Sequence, residues 1–285
     1  MSLDARAWFT EIHDSAGCAF SLKTVGKLHD VQSPYQRVEV YETEQWGNLM
    51  TLDGLVMLTQ RDNYIYHEMM THPVLFTHPS PQRVLIIGGG DCGTLQQVLK
   101  HPGVNEVTQV DIDAEVTRAS ETYFPELCTA NTDPRAALHF DDGVKWVADA
   151  DDERYDVIIV DSTDPIGPGE GLFSFAFYQN CQRILASNGL FIQQSESPLS
   201  SMDILRKMYK ALRQAPFIDV MTLFFPQPVY PTGWWSATMA AKDMPITDFR
   251  QQDAETLPFT TEYYTAAVHR GAMAAPANFY RQLEA

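Results

Sequence analysis

Positive charge is scarce in this chain: 20 Lys and Arg stand against 37 Asp and Glu, a formal net charge of −17. Nucleic-acid binding needs clustered basic side chains to displace counterions, so a nucleic-acid partner is excluded. The same imbalance steers cationic small molecules toward the surface. Cysteine is sparse too. Cys18, Cys92, Cys128 and Cys181 are scattered without a C-x-x-C pair, so free, reduced thiols are expected and no metal site. Long apolar runs are missing, since no stretch approaches the roughly 18 residues that a membrane helix needs. Residues 1–10 carry Asp4 and Arg6 and lack the apolar core of a secretion signal. A cytoplasmic protein with no membrane partner is the expectation. Internal repeats and low-complexity tracts are absent as well.

What is present is ample core material, 45% hydrophobic residues in a chain of 285, which removes disorder as a reading. The first quarter reads as β structure. Val38 to Tyr41 alternates with charge, and Asp53-Gly54 between two apolar runs over 47–59 marks a hairpin. Asp62 is placed to cap a helix over 63–76, disturbed at Pro73. Thr77-His78-Pro79-Ser80-Pro81 then reads as a linker. It divides an N-terminal β-strand and hairpin domain (1–77) from a catalytic domain (78–285).

From Arg83 the pattern alternates. Strands are predicted at 84–87, 106–110, 136–140, 157–160, 190–193, 218–223 and 236–240. Helices are predicted at 94–100, 114–123, 175–185 and 202–213. Such a βαβ series makes an α/β fold, a Rossmann-like, mostly parallel sheet of the class I methyltransferase type with a small N-terminal β domain.

Val84 to Ile87 runs straight into Gly88-Gly89-Gly90-Asp91-Cys92-Gly93, and Gly88, Gly90 and Gly93 satisfy G-x-G-x-x-G. Glycines there allow a tight turn and let a ligand approach the backbone. The next strand ends at Asp111, where a carboxylate can accept from both ribose hydroxyls. An adenosine-containing co-substrate fits both features. Asp91 within the loop suits a cationic end better than a diphosphate, which argues against a nicotinamide dinucleotide. The fourth strand ends in Asp161-Ser162-Thr163-Asp164-Pro165-Ile166-Gly167-Pro168-Gly169. Asp91, Asp161 and Asp164 at one mouth repel each other unless a multiply charged cation, such as a diamine, sits among them.

On these residues the chain resembles the polyamine aminopropyltransferase family, the spermidine synthases of bacteria. The landmarks are Leu52-Asp53-Gly54, Gln60-Arg61-Asp62, Tyr64, Tyr66-His67-Glu68-Met69, Gly88 to Asp91, Asp141-Asp142-Gly143, Asp161 to Pro168 and Tyr230-Pro231-Thr232-Gly233. The resemblance implies aminopropyl transfer from decarboxylated S-adenosylmethionine, a co-substrate rather than a prosthetic group, to putrescine. It implies that Gln36 and Asp111 hold the ribose and that Asp142 and Gly143 read the adenine beside Pro168. Gly88 and Gly90 would line the nucleoside, and Asp91 would bind the aminopropyl amine. His67, Asp164, Gln194, Tyr230 and Tyr66 would surround the polyamine, and Asp161, with Tyr66, would take the proton. A homodimer or homotetramer is expected.

Three departures stand out. Cys92 replaces a usual glycine and is expected to narrow the loop beside the amine pocket, with a consequence for substrate preference. Asp111 replaces a glutamate, and Leu95-Gln96-Gln97 replaces an Arg-Glu pair. The competing readings are an S-adenosylmethionine-dependent methyltransferase, an inactive polyamine-binding relative and a nicotinamide oxidoreductase.

Overall fold

The computed structural model describes residues 4, 6–165 and 167–284. Five strands open the chain: β1 (Trp8–His13), β2 (Cys18–Gln32), β3 (Arg37–Thr43), β4 (Asn48–Leu52) and β5 (Leu55–Thr59). Each pairs antiparallel with the next, so the small sheet is a meander in chain order. The β4–β5 turn is Asp53-Gly54, with φ of 51° and 81°. A two-residue hairpin demands positive φ at both positions, and this dipeptide tolerates it.

Helix α1 (Asn63–Thr77) follows and is buried almost all round, with Pro73 inside it. Asp62 precedes it but does not cap it. Its carboxylate instead accepts from Thr59 Oγ1 at 2.6 Å and Gln227 Nε2 at 3.1 Å. A buried carboxylate needs such donors, and these two tie the end of β5 to the loop that carries Tyr230.

The large sheet comprises β6 (Arg83–Gly88), β7 (Glu106–Asp111), β8 (Ala136–Phe140), β9 (Tyr155–Asp161), β10 (Leu185–Gln194), β11 (Asp219–Pro226) and β12 (Trp234–Ala241). Its order is β11-β12-β10-β9-β6-β7-β8. The run from β10 to β8 is parallel, and β12 is antiparallel to both neighbours. Period-two alternation in the apolar strands feeds two cores. Val84, Ile86, Val107, Val157 and Ile159 pack with α1 on one face. Leu85, Ile87, Val110, Ile158 and Val160 pack on the other. Helices α2 (Gly93–Leu99), α3 (Ala114–Tyr123), α4 (Gly143–Asp149), α5 (Phe175–Ile184) and α6 (Met202–Gln214) connect the strands. The last part of the chain adds α7 (Gln251–Glu255), α8 (Ala266–Ala272) and α9 (Phe279–Leu283). Among the described residues no helix is long and apolar enough to cross a membrane.

Connections leave β6 toward β7 and β9 toward β10, on opposite sides, so the β6/β9 pair is the switch point where a crevice opens at the carboxyl ends. Helix α1 is held against that crevice from behind. Glu68, 1% exposed, accepts from the backbone N–H groups of Glu262, Tyr263 and Tyr264 at 2.8, 2.9 and 2.7 Å. Glu68→Ala strands three donors, and we expect it to lower unfolding free energy by about 3 kcal/mol. Urea unfolding measures this, and Glu68→Gln, which keeps one acceptor oxygen, should recover part of the loss. Equal stability of all three proteins would show that the clamp carries no energy.

Candidate active site

The glycine loop sits where backbone must touch backbone. Gly88, at φ 83°, has the Asp161 carbonyl oxygen 2.1 Å from where a Cβ would stand. Gly89 N–H donates to the same oxygen at 2.8 Å. The loop is braced from below by Gln109 Nε2 on the Gly89 carbonyl and Thr117 Oγ1 on the Gly90 carbonyl, both at 2.9 Å. A Cβ on Gly90 would meet Asp111 Oδ2 at 2.9 Å, and one on Gly143 would meet Ile87 Cγ2 at 2.5 Å. Bare backbone thus forms the cavity floor, where a side chain would not fit.

That cavity is lined by Gln36, Gly88, Gly90, Asp91, Asp111, Asp142, Gly143 and Asp161, with Met50, Leu52, Met57 and Leu58 of the small sheet closing it. Gln36 donates its amide to Asp113 Oδ2 at 3.1 Å, and Ser33 Oγ donates to the same oxygen at 2.7 Å. Asp142 caps α4, accepting from Val144 N and Lys145 N. The side chain of Pro168 lies outside the described residues.

At the inner end two carboxylates face one reaction centre. Asp161 accepts from Tyr66 Oη at 2.7 Å and Thr94 Oγ1 at 2.6 Å. Burial, and then the neighbouring Asp91 charge, pushes the Asp161 carboxyl above its ordinary range. Asp91 accepts from Gly93 N–H at 2.7 Å and lies 3.1 Å from His67 Nε2. Burial works against its charge, but His67 outweighs burial and holds it below the ordinary range. The His67 imidazole is correspondingly raised: burial opposes its charge, and Asp91 more than offsets burial. Burial and Asp161 hold the Tyr66 proton tightly, far above an ordinary phenol.

Tyr66 and Tyr230, their rings edge to face at 5.8 Å, separate this cavity from a second one and line both. Asp164, Gln194, Trp235 and Glu11 line the second cavity. Tyr230 Oη is spent on the Met57 carbonyl at 2.6 Å, so it offers an aromatic wall. Glu11 takes the Val56 N–H at 2.8 Å, and burial pushes its carboxyl up to about 7.

Two expectations change. His67 lines neither cavity: it is 1% exposed, lies 3.1 Å from Asp91 and presses on Gly93, where a Cβ would be 2.2 Å from the ring. Cys92 does not line the pocket. It is fully buried at φ 69°, its thiol turned to the Gly90 carbonyl at 3.6 Å and raised rather than activated. Thr94, Glu11 and Asp113 escaped the sequence reading. Thr94 directly follows the last glycine of the motif, which is a usable signal. Glu11 lies in an edge strand with no motif around it.

Fold and site define a Rossmann-like protein with a glycine-floored cavity set against an anionic wall. Residues 63–251 match the spermine/spermidine synthase domain, and residues 7–60 match the spermidine synthase tetramerisation domain. The chain is 60% identical to a polyamine aminopropyltransferase of Thioalkalivibrio sulfidiphilus over 99% of both chains. It is 56% identical to that of Methylococcus capsulatus, over 97% of this chain and 96% of the other. A solved spermidine synthase in complex with the transition-state analogue AdoDATO superposes with a TM-score of 0.94 at 33% identity, covering 97% of this chain and 94% of the other. The Thermotoga maritima spermidine synthase does so with 0.92 at 32%, over the same shares. The chain belongs to the spermine/spermidine synthase family of polyamine aminopropyltransferases.

Asp111 allows a test of the buried charge. Burial, chiefly, raises its carboxyl from 3.8 to about 7. The folded state therefore binds this proton more tightly than the unfolded chain, so stability falls as pH rises between those values and the penalty is complete above them. Asp111→Asn removes the charge, so its stability relative to the native chain should climb from about pH 4 to about pH 7 and then level off. Thermal unfolding across that range measures it, and a pH-independent difference would refute the assignment.

Proposed function

We propose that this chain moves the aminopropyl group of decarboxylated S-adenosylmethionine onto putrescine, giving spermidine and methylthioadenosine. The observation that carries the reading is Asp161, which faces the nucleoside cavity and is bonded to Tyr66, the residue shared with the acceptor cavity. The residues present suit such a donor. A glycine floor admits the nucleoside, Asp111 and Gln36 face the ribose, and Asp142 with Gly143 borders the adenine. Asp91 pairs with the donor amine. S-adenosylmethionine itself carries a carboxylate beside that amine, which Asp91 repels, so the methyltransferase reading loses to charge.

The acceptor lies along Tyr66, Gln194 and Tyr230, with Asp164 and Glu11 toward its far ammonium. The attacking nitrogen must be neutral, yet an alkyl amine has a pKa of about 10. A carboxylate at its ordinary value is a poor base for it, and burial of Asp161 raises its basicity toward the task. Tyr66 and Thr94 donate to Asp161 and aim it, since the tightly held Tyr66 proton makes the phenol a donor rather than an acceptor. The nitrogen then displaces the thioether at the propyl carbon, and Asp161 receives the proton. Alignment of the two substrates across Tyr66 supplies much of the remaining acceleration.

We place the enzyme in the cytoplasm as a homo-oligomer assembled through the small sheet, which exposes Val25, Leu28 and Val31. Asp161→Asn should lose roughly a hundredfold or more in turnover with the decarboxylated donor and putrescine. Its affinity for methylthioadenosine should stay near that of the native enzyme, as titration calorimetry would show. Retained turnover would sink the assignment of Asp161. A native enzyme silent with putrescine, cadaverine, agmatine and spermidine alike would sink the whole reading.

A further inference from the structure

Cys92 follows Asp91 directly and ends the glycine loop in a left-handed conformation, φ 69°. Its thiol points away from the nucleoside, under the loop, at the Gly90 carbonyl 3.6 Å away. Cys128 lies on the turn after α3, and its thiol reaches the next carbonyl, that of Asp91, at 3.8 Å. The two thiols therefore sit on the carbonyls of consecutive residues of one loop. They come from segments far apart in sequence, and both touch the backbone of the one loop that presents Asp91.

We propose that Cys92 and Cys128 are a reversible oxidation site whose disulfide disables the donor pocket. Cys128 is partly exposed while Cys92 is fully buried, so Cys128 meets the oxidant first. With hydrogen peroxide, the Cys128 sulfur attacks one oxygen, the O–O bond breaks, and one water leaves a sulfenic acid behind. The Cys92 sulfur then displaces the hydroxyl as a second water. Two thiols lose two electrons and two protons, and the peroxide takes up both pairs. A dithiol reductant reverses the step.

A disulfide is about 2 Å long, so the two thiols must leave the Gly90 and Asp91 carbonyls and close on each other. The compliant partner is the loop, with Gly88, Gly89, Gly90 and Gly93 around it. Drawing Cys92 toward Cys128 moves Asp91, its preceding neighbour, and Gly93, whose N–H holds the Asp91 carboxylate at 2.7 Å. A shift of about 1 Å at a positioning group costs on the order of a hundredfold in rate. The loss of activity rests on Asp91 as the contact for the donor amine; formation of the bond does not.

Peroxide treatment followed by non-reducing peptide mapping tests the bond by itself. We expect a Cys92–Cys128 crosslinked peptide, roughly a hundredfold fall in kcat/KM for the donor, and recovery with dithiothreitol. Cys92→Gly, which suits the left-handed backbone, and Cys128→Ser should each be active when reduced and insensitive to peroxide. A map without the crosslink overturns the proposal, as does equal inactivation of both variants, or full activity of the crosslinked enzyme. A reduced native enzyme with no aminopropyl transfer, but with the crosslink formed, would count against the proposed reaction and leave the oxidation site standing.

Discussion

Buried negative charge at the carboxyl ends of β6 and β9 is the constraint around which this protein is arranged. Asp91 and Asp161 share one wall, and the His67 imidazole lies 3.1 Å from Asp91, its pKa raised by that carboxylate against the opposing effect of burial. Two carboxylates in such a place repel each other and lose hydration, which only donors or cations offset. The protein supplies donors in part: Gly93 N–H to Asp91, and Tyr66 and Thr94 to Asp161. The remainder is left as stress, visible in the raised Asp161 carboxyl. In the proposed reaction an aminopropyl ammonium and a sulfonium would relieve that stress, converting substrate charge into binding energy and turning anionic competitors away.

Holding acids this close requires a stiff frame, and α1 supplies it through consecutive residues with different tasks. Tyr66 reaches Asp161, His67 reaches Asp91, and Glu68 anchors the segment from Glu262 to Tyr264. Successive helical residues point about 100° apart, so one turn addresses reaction centre, loop and C-terminal brace at once. The small sheet closes the nucleoside cavity through Met50, Leu52, Met57 and Leu58, and Asp62 links that sheet to the loop bearing Tyr230. The pocket therefore belongs to both sheets and not to the glycine loop alone.

Much of this was legible in the sequence because it is local. Apolar runs of strand length, each followed by a helical period, predict β6 to β9 and β12 to within two residues, whereas β10 starts five residues earlier and β11 ends three residues later than predicted. The glycine spacing and the Asp161 to Pro168 run mark the crevice before any coordinates. What escaped is non-local. The helices after Gln251 are short and weakly periodic, and they are held by contacts such as Glu68 to Tyr264. Glu11 enters the acceptor cavity from an edge strand whose pattern says nothing of a cavity. His67 could be recognised as a site residue by its neighbours, but its placement behind Asp91 depends on Gly93 leaving room for the ring. Cys92 looked like a pocket residue because the backbone sign at φ 69°, which turns the thiol away, cannot be read from residue type.

The proton at the reaction centre brings these observations together. An ammonium nucleophile must lose a proton that water would hold at a pKa of about 10, and an ordinary aspartate would be about six units too weak to take it. The fold narrows that gap from both sides. Burial and Asp91 raise the Asp161 carboxyl, and a sulfonium across the cavity disfavours a second positive charge on the attacking nitrogen. In the proposed reaction the Asp91 that seats the donor also makes Asp161 a better base, and His67 favours the ionised form of Asp91. Were Asp91 neutral, the donor amine would lose its partner and Asp161 would fall back toward the ordinary range. In the proposed reaction the buried His67, through its pairing with Asp91, would bear on both affinity for the donor and basicity toward the acceptor.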